Sequence, residues 1–181
     1  ELLGGNYGVI HVPLSSLPRD LLAYVGYYNI PKLYTLLDES SLEASGILKV
    51  RSQPLLGYTG KDIILGFIDT GIDYTQPIFR RSDGRSRIVG LWDQTDQTGT
   101  PPENLSYGSA YTEEDLNRAL TAEDPLSVVP SADENGHGTI LASIASGSAD
   151  VIPDFSGAAP NADIAVVKLK PAKKFLRDFI L

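Results

Sequence analysis

Asp69 closes the apolar run "ILGFID" just before Thr70-Gly71, and His137 stands between Gly136 and Gly138 at the head of "HGTILASIASG". Singly, each has a plain role: Asp69 caps a turn, and His137 sits in a solvated loop. The pair points to chemistry. An imidazole held in one tautomer by a buried carboxylate is a general base poised near neutral pH, which makes two of the three groups of an Asp-His-nucleophile triad.

The third group is harder to place. Cysteine is absent, which excludes a thiolate nucleophile together with disulfides and thiolate metal sites. Ser143, Ser146 and Ser148 follow on or near the His137 helix, where turn geometry directs them away from that imidazole. Helix-face packing or capping is their expected role. His11 shares a strand face with Val9, has no acidic companion and is assigned no chemistry. Of the acidic stretches, "TEEDL" is expected to be helix N-terminal charge favoured by the macrodipole, and "ADEN" a solvated loop.

The elements that must position the pair alternate in type. "KDIILGFID" is continuously apolar, as a strand buried on both faces of a parallel sheet would be, and "SRIVGLWDQ" (86–94) and "ADIAVVKLK" (162–170) have the same character. "HGTILASIASGS" has helical spacing, with Gly138, Ala142 and Ala145 on one face for close packing against the sheet. "GTPPENLSYGSAYTEEDLNRAL" runs from a Gly/Pro turn into a helix, with Thr112 and Asp115 as a loose capping box. Upstream, "YGVIHVP" (7–13) predicts a strand, Ser16 and Pro18 start a helix, and "IPKLYTLLD" (30–38) predicts a second strand. The Ser-, Gly- and Pro-punctuated connector that follows has room for a short helix and puts a boundary near residue 40. Strands interleaved with helices imply an α/β layered domain over 41–181, preceded by a small strand-helix-strand unit over 1–40.

At 181 residues the chain is long enough for one good core and an appendage. A formal charge of −8 argues against nucleic acid or an anionic membrane surface as partner. No apolar run approaches the roughly 20 residues of a membrane-spanning helix. The chain opens on Glu1 without a leader-like segment and is expected to be an excerpt or processed piece.

"GYTGKDIILGFIDTGIDYTQPIF", "NGHGTILASIASG" and "GAAPNADIAVVKLK" resemble, in order and approximate spacing, the first half of a subtilisin-like serine peptidase catalytic domain. The resemblance implies a truncated three-layer α/β fold with a mainly parallel sheet. It makes Asp69 the triad carboxylate and His137 the general base, acting on polypeptide substrates. The Gly-Thr-Ser motif that supplies the nucleophile in this family does not occur in the sequence. The resemblance therefore implies a serine beyond Leu181, a missing C-terminal half as partner and an inactive fragment in isolation. It also implies that the first 40 residues are the remnant of an α+β propeptide. "GIDYTQPIF", "DGRSRIVGLWDQT" and "VVKLKPAKKFLRDF" are similar to clostridial Csp-type subtilases, some active in spore germination and some pseudoproteases, which suggests a secreted or spore-associated location.

Two departures from the family pattern bear on the site. Ile140 replaces a second His that is not catalytic, and Ile78 stands where an Asp often helps bind structural calcium. No cofactor is expected, and a hydrocarbon makes that calcium site doubtful. Two alternatives remain open. One is a non-catalytic pseudoprotease or interaction fragment. The other is a homodimeric aspartic peptidase, since "FIDTG" resembles the active-site strand of that class and occurs once. An incomplete sheet would also expose an edge suited to self-association.

Overall fold

The computed structural model describes residues 2–4, 7–8, 13–16, 39–149, 151–152 and 155–171. The chain forms two compact units, Glu1–Leu36 and Leu37–Leu181. In the first, β1 (Leu2–Gly4) pairs antiparallel with β2 (Tyr7–Gly8), and a 3₁₀ turn spans Leu14–Ser16. The sequence points to a strand over 7–13, and β2 is its beginning. β1 was not expected. Residues 9–12, the helix from Pro18 and the strand over 30–38 lie outside the described residues.

The second unit opens with two short helices in the connector, α1 (Glu39–Ala44) and α2 (Ile47–Arg51). There follow β3 (Ile64–Asp69), β4 (Ile88–Asp93), β5 (Ser109–Thr112), α3 (Glu113–Leu120), α4 (His137–Ser146) and β6 (Asp163–Lys168). The sheet order is β3-β6-β4-β5, with β6 parallel to both neighbours and β5 antiparallel to β4. The fold is therefore mixed α/β with a mainly parallel sheet, as the alternating pattern predicts. β5 is the element that pattern missed. Its four residues run straight into α3, whose capping box forms as expected: the Thr112 N–H donates to Asp115 (2.9 Å) and the Asp115 N–H to Thr112 Oγ1 (3.3 Å).

Alternation along a strand decides which side chains reach the core. On one face of the sheet Phe67, Val166 and Leu91 lie in register and pack with Ile164, Ala142 of α4 and Leu116 of α3. Full burial of a side chain such as Ile164 or Leu116, both 0 % exposed, stabilises by about 1.5–3 kcal/mol. The other face departs from expectation. Ile64 is 61 % exposed and Ile68 68 %, so β3 is not buried on both faces. These two point, with Gly66, to the side that no described element covers.

One buried cation ties the layers together. Arg87, 3 % exposed, donates to the carbonyls of Ala162 (2.8 Å), Ile78 (2.8 Å) and Ser146, which joins the start of β6 to the last turn of α4. Burial pushes its guanidinium down to about 10, with Arg81 adding to the shift and Asp163 opposing it. Three carbonyl dipoles take the place of a buried counterion.

Candidate active site

Asp69 ends β3 at the carboxyl edge of the sheet, where open α/β sheets collect ligands. His137 is the first residue of α4. The two meet: His137 Nδ1 lies 2.8 Å from Asp69 Oδ1, and the Thr70 N–H donates to the same oxygen at 2.7 Å. The hydrogen bond from His137 and the one from Thr70 hold the Asp69 carboxyl below its usual range. A neutral imidazole that donates through Nδ1 keeps its lone pair on Nε2. The His137 side chain is 61 % exposed and borders a cleft of about 850 Å³ that also takes in Glu134, Lys168 and Lys170. This arrangement can accept a proton from a group in the cleft and stabilise the resulting imidazolium.

The pair depends on how α4 begins. Gly136 takes the N-cap position with φ 82°, in the left-handed region, and has no side chain to satisfy the first amides of the helix. Those amides find partners elsewhere. Gly138 N–H donates to Thr70 Oγ1 (3.0 Å) and Thr139 N–H to Asp133 Oδ2 (2.9 Å). Gly138 also lets the helix close onto the exit of β3, since a methyl there would lie 2.2 Å from the Gly71 carbonyl oxygen and 3.2 Å from Asp69 Cβ. The small-residue face read from the sequence thus serves contact with the residues around Asp69 itself.

Asp133 corrects an expectation. "ADEN" is not merely a solvated loop: the Asp133 carboxylate receives Thr70 Oγ1–H (2.8 Å), Gly136 N–H (2.9 Å), Thr139 N–H (2.9 Å) and Thr139 Oγ1–H (2.6 Å). Burial raises its pKa, but the Thr139, Thr70 and Gly136 hydrogen bonds outweigh that and bring it to about 2. A faint signal was available in the sequence, an Asp three residues before a glycine N-cap, which is the spacing of a local side-chain-to-backbone turn.

The two residues before Asp133 are anchored as well. Ser131 Oγ donates to Asp93 Oδ2 (2.6 Å), and Lys168 Nζ donates to the Ala132 carbonyl (2.8 Å) while lying 3.4 Å from Asp93 Oδ2. Asp93 is 1 % exposed. Burial alone would raise its pKa, yet hydrogen bonds from Ser131 and Thr95, with Lys168 nearby, lower it. Asp69, Lys168, Asp93 and Ser109 stand in register across the end of the sheet.

The serines on the helix are committed elsewhere, as their spacing suggests. Ser143 Oγ donates to the Thr139 carbonyl and Ser146 Oγ to that of Ala142, one turn back in each case, and Ser148 Oγ donates to the Arg80 carbonyl. His11 lies outside the described residues. Among the described residues no group of three or more His, Asp or Glu is placed to hold a metal ion.

Known proteins share this arrangement of elements. A model of the subtilase family matches residues 60–180. The chain is 33 % identical over 129 residues to the subtilisin-like protease SBT2.1 of Arabidopsis thaliana, covering 61 % of this chain and 15 % of that protein. It is 33 % identical over 128 residues to SBT2.2 of the same plant, with 60 % and 15 % covered. Among solved structures, the CspB protease of Clostridium perfringens is similar with a TM-score of 0.63 and 38 % identity, over 73 % of this chain and 26 % of that one. The chain thus spans about 15 % of the length of the curated relatives it matches. With the match running from before β3 to past β6, through the segments that bring Asp69 and His137 together, the chain belongs to the subtilase family of serine peptidases.

Proposed function

We propose that Asp69 and His137 are the carboxylate and general base of a serine endopeptidase, with the nucleophilic serine and the oxyanion donors supplied by other parts of the full-length product. His137 Nε2 takes the proton of the serine hydroxyl as that oxygen attacks a peptide carbonyl, then delivers it to the departing amine. Asp69 fixes the tautomer and stabilises the imidazolium. The 2.8 Å contact between His137 Nδ1 and Asp69 Oδ1 carries this reading. It also favours a serine mechanism over an aspartic one, because the Asp69 carboxylate is engaged by an imidazole.

On this reading the 181 residues are inactive alone, and residues 1–40 act as a propeptide. The face bearing Ile64 and Ile68, 61 % and 68 % exposed, supports association with the remaining part of the catalytic domain or with a second copy. A structural calcium ion is possible on this reading but would lack one usual ligand, because Ile78, 6 % exposed among core side chains, offers a hard cation no oxygen.

The test is fluorophosphonate labelling of the full-length product read by intact mass, with His137→Ala as control. One adduct that vanishes in the control is the expected result. No adduct on folded wild-type protein would replace this reading with the pseudoprotease or interaction fragment.

A further inference from the structure

The loop that delivers His137 is fastened at three consecutive residues to three different strand ends. Ser131 is held by Asp93 of β4, Ala132 by Lys168 of β6, and Asp133 by Thr70, which directly follows β3. Asp133 differs from the other two in reaching forward into α4 as well as back to the sheet. One of its oxygens receives Thr70 and Gly136, the other the backbone and side chain of Thr139. Both threonine hydroxyls are used twice, since Thr70 Oγ1 accepts from Gly138 N–H (3.0 Å) and Thr139 Oγ1 from Asp73 N–H (2.9 Å). The residues that carry Asp69 and His137 are thereby joined through one carboxylate.

We propose that Asp133 is a positioning residue, whose carboxylate fixes the first turn of α4 against the end of β3 and so sets the His137–Asp69 contact. It touches neither partner through its own side chain and acts through Thr70, Gly136 and Thr139. All four of its bonds are received from donors, so only an acceptor on both oxygens fits. An amide of the same shape would turn an N–H₂ toward an N–H and a hydroxyl that are already committed. With its pKa near 2, the carboxylate stays ionised throughout the range in which an imidazole titrates.

The proposal deepens the serine-peptidase reading and rests on it for its meaning, but its test does not require activity. In the full-length product carrying isotope-labelled histidine, the chemical shift of the hydrogen-bonded His137 Nδ1–H proton is measured by NMR at one fixed pH for wild type, Asp133→Asn, Asp69→Asn and the double variant, with His137→Gln assigning the signal. If Asp133 acts by holding His137 against Asp69, Asp133→Asn moves that proton upfield when Asp69 is present and leaves it nearly unchanged when Asp69 is Asn. Glu134, Lys168 and Lys170, which share the cleft, are constant across the four proteins and cancel.

An equal shift in both backgrounds would mean that Asp133 acts only through its own charge, and no shift would mean that it acts elsewhere; either result overturns the proposal. If Asp133→Asn does not fold, Thr139→Val and Thr139→Ser carry the same cycle, with loss expected for valine and retention for serine. In an active product, kcat falls about 100-fold with KM little changed, as for a misplaced base. A wild type that takes no fluorophosphonate adduct yet still shows the coupled Nδ1–H shift would remove the peptidase reading and leave the positioning role standing.

Discussion

Replacing Gly138 by Ala tests whether close approach of α4 to the end of β3 sets the site. The added methyl would lie 2.2 Å from the Gly71 carbonyl oxygen and 3.2 Å from Asp69 Cβ. The nearest obstacle is backbone and has no rotamer to escape into. Opening that gap to an ordinary contact of ~3.5 Å requires about 1.3 Å of separation, taken by α4 as a body. His137 precedes the substituted residue, so its 2.8 Å contact with Asp69 stretches beyond the ~3.2 Å limit of a good N–H···O bond. The 3.0 Å bond from Gly138 N–H to Thr70 Oγ1 is lost by the same movement.

Overpacking costs about 1–3 kcal/mol, offset by the ~0.5–1 kcal/mol that Ala gains over Gly in a helix. The net stability loss is modest, on the order of 1–2 kcal/mol. A base misplaced by about 1 Å, however, costs about 100-fold in rate. The assay is therefore a pair of measurements on the full-length product, fluorophosphonate labelling rate and denaturant midpoint. Gly136→Ala is the comparison, since it has open space around it and φ 82°, so it costs ~1–2 kcal/mol of backbone strain without pushing on Asp69. Labelling of Gly138→Ala at the wild-type rate would refute the reasoning, because the close approach would then not determine the pair.

Arg87→Met removes three hydrogen bonds from the carbonyls of Ala162, Ile78 and Ser146 and should cost about 2–4 kcal/mol in urea unfolding; a neutral result would mean that those carbonyls find other partners. Acid should weaken the fold through Asp133 and Asp96, whose pKa values both fall to about 2. For Asp96, hydrogen bonds from Tyr111 and Thr98 outweigh the upward effect of burial. Lowered folded-state values stabilise above pH ~4 and lose that contribution as pH falls toward 2, on the order of 2 kcal/mol for each group. Asp133→Asn should flatten this part of the stability curve, as measured by unfolding from pH 6 to pH 2. Tyr74→Phe removes a hydroxyl donated to the Pro125 (2.8 Å) and Val129 (2.9 Å) carbonyls and should lower stability by about 1 kcal/mol in the same assay.

What could be read from the sequence was mostly local. The apolar runs ending at Asp69, Asp93 and Lys168 form strands because their Ile, Val and Leu residues need a sheet to bury them, and the Thr112–Asp115 cap is complete within four residues. Asp69 and His137 were legible because each stands at an abrupt break in a pattern. The rest depended on partners distant in the chain. Beyond its spacing to Gly136, nothing local marks Asp133 as the partner of Thr70, and Lys168 could not be linked to Ala132 before the sheet placed them together. Burial of Ile64 and Ile68 was overestimated because composition does not reveal which side of a strand has a covering layer.

The placing of β6 between β3 and β4 has a consequence in time. Among the described residues, β3 has no other neighbour, and Asp69 is in register with Lys168, a residue synthesised about 100 positions later. At ~5–20 residues per second, β3 leaves the ribosome roughly 5–20 s before its partner exists. α4 is made in the interval, but the sheet that should receive it is still missing its middle strand. Until Lys168 is made, β3 therefore lacks its ladder partner, and the strand end that carries Asp69 has only the start of α4 to pack against.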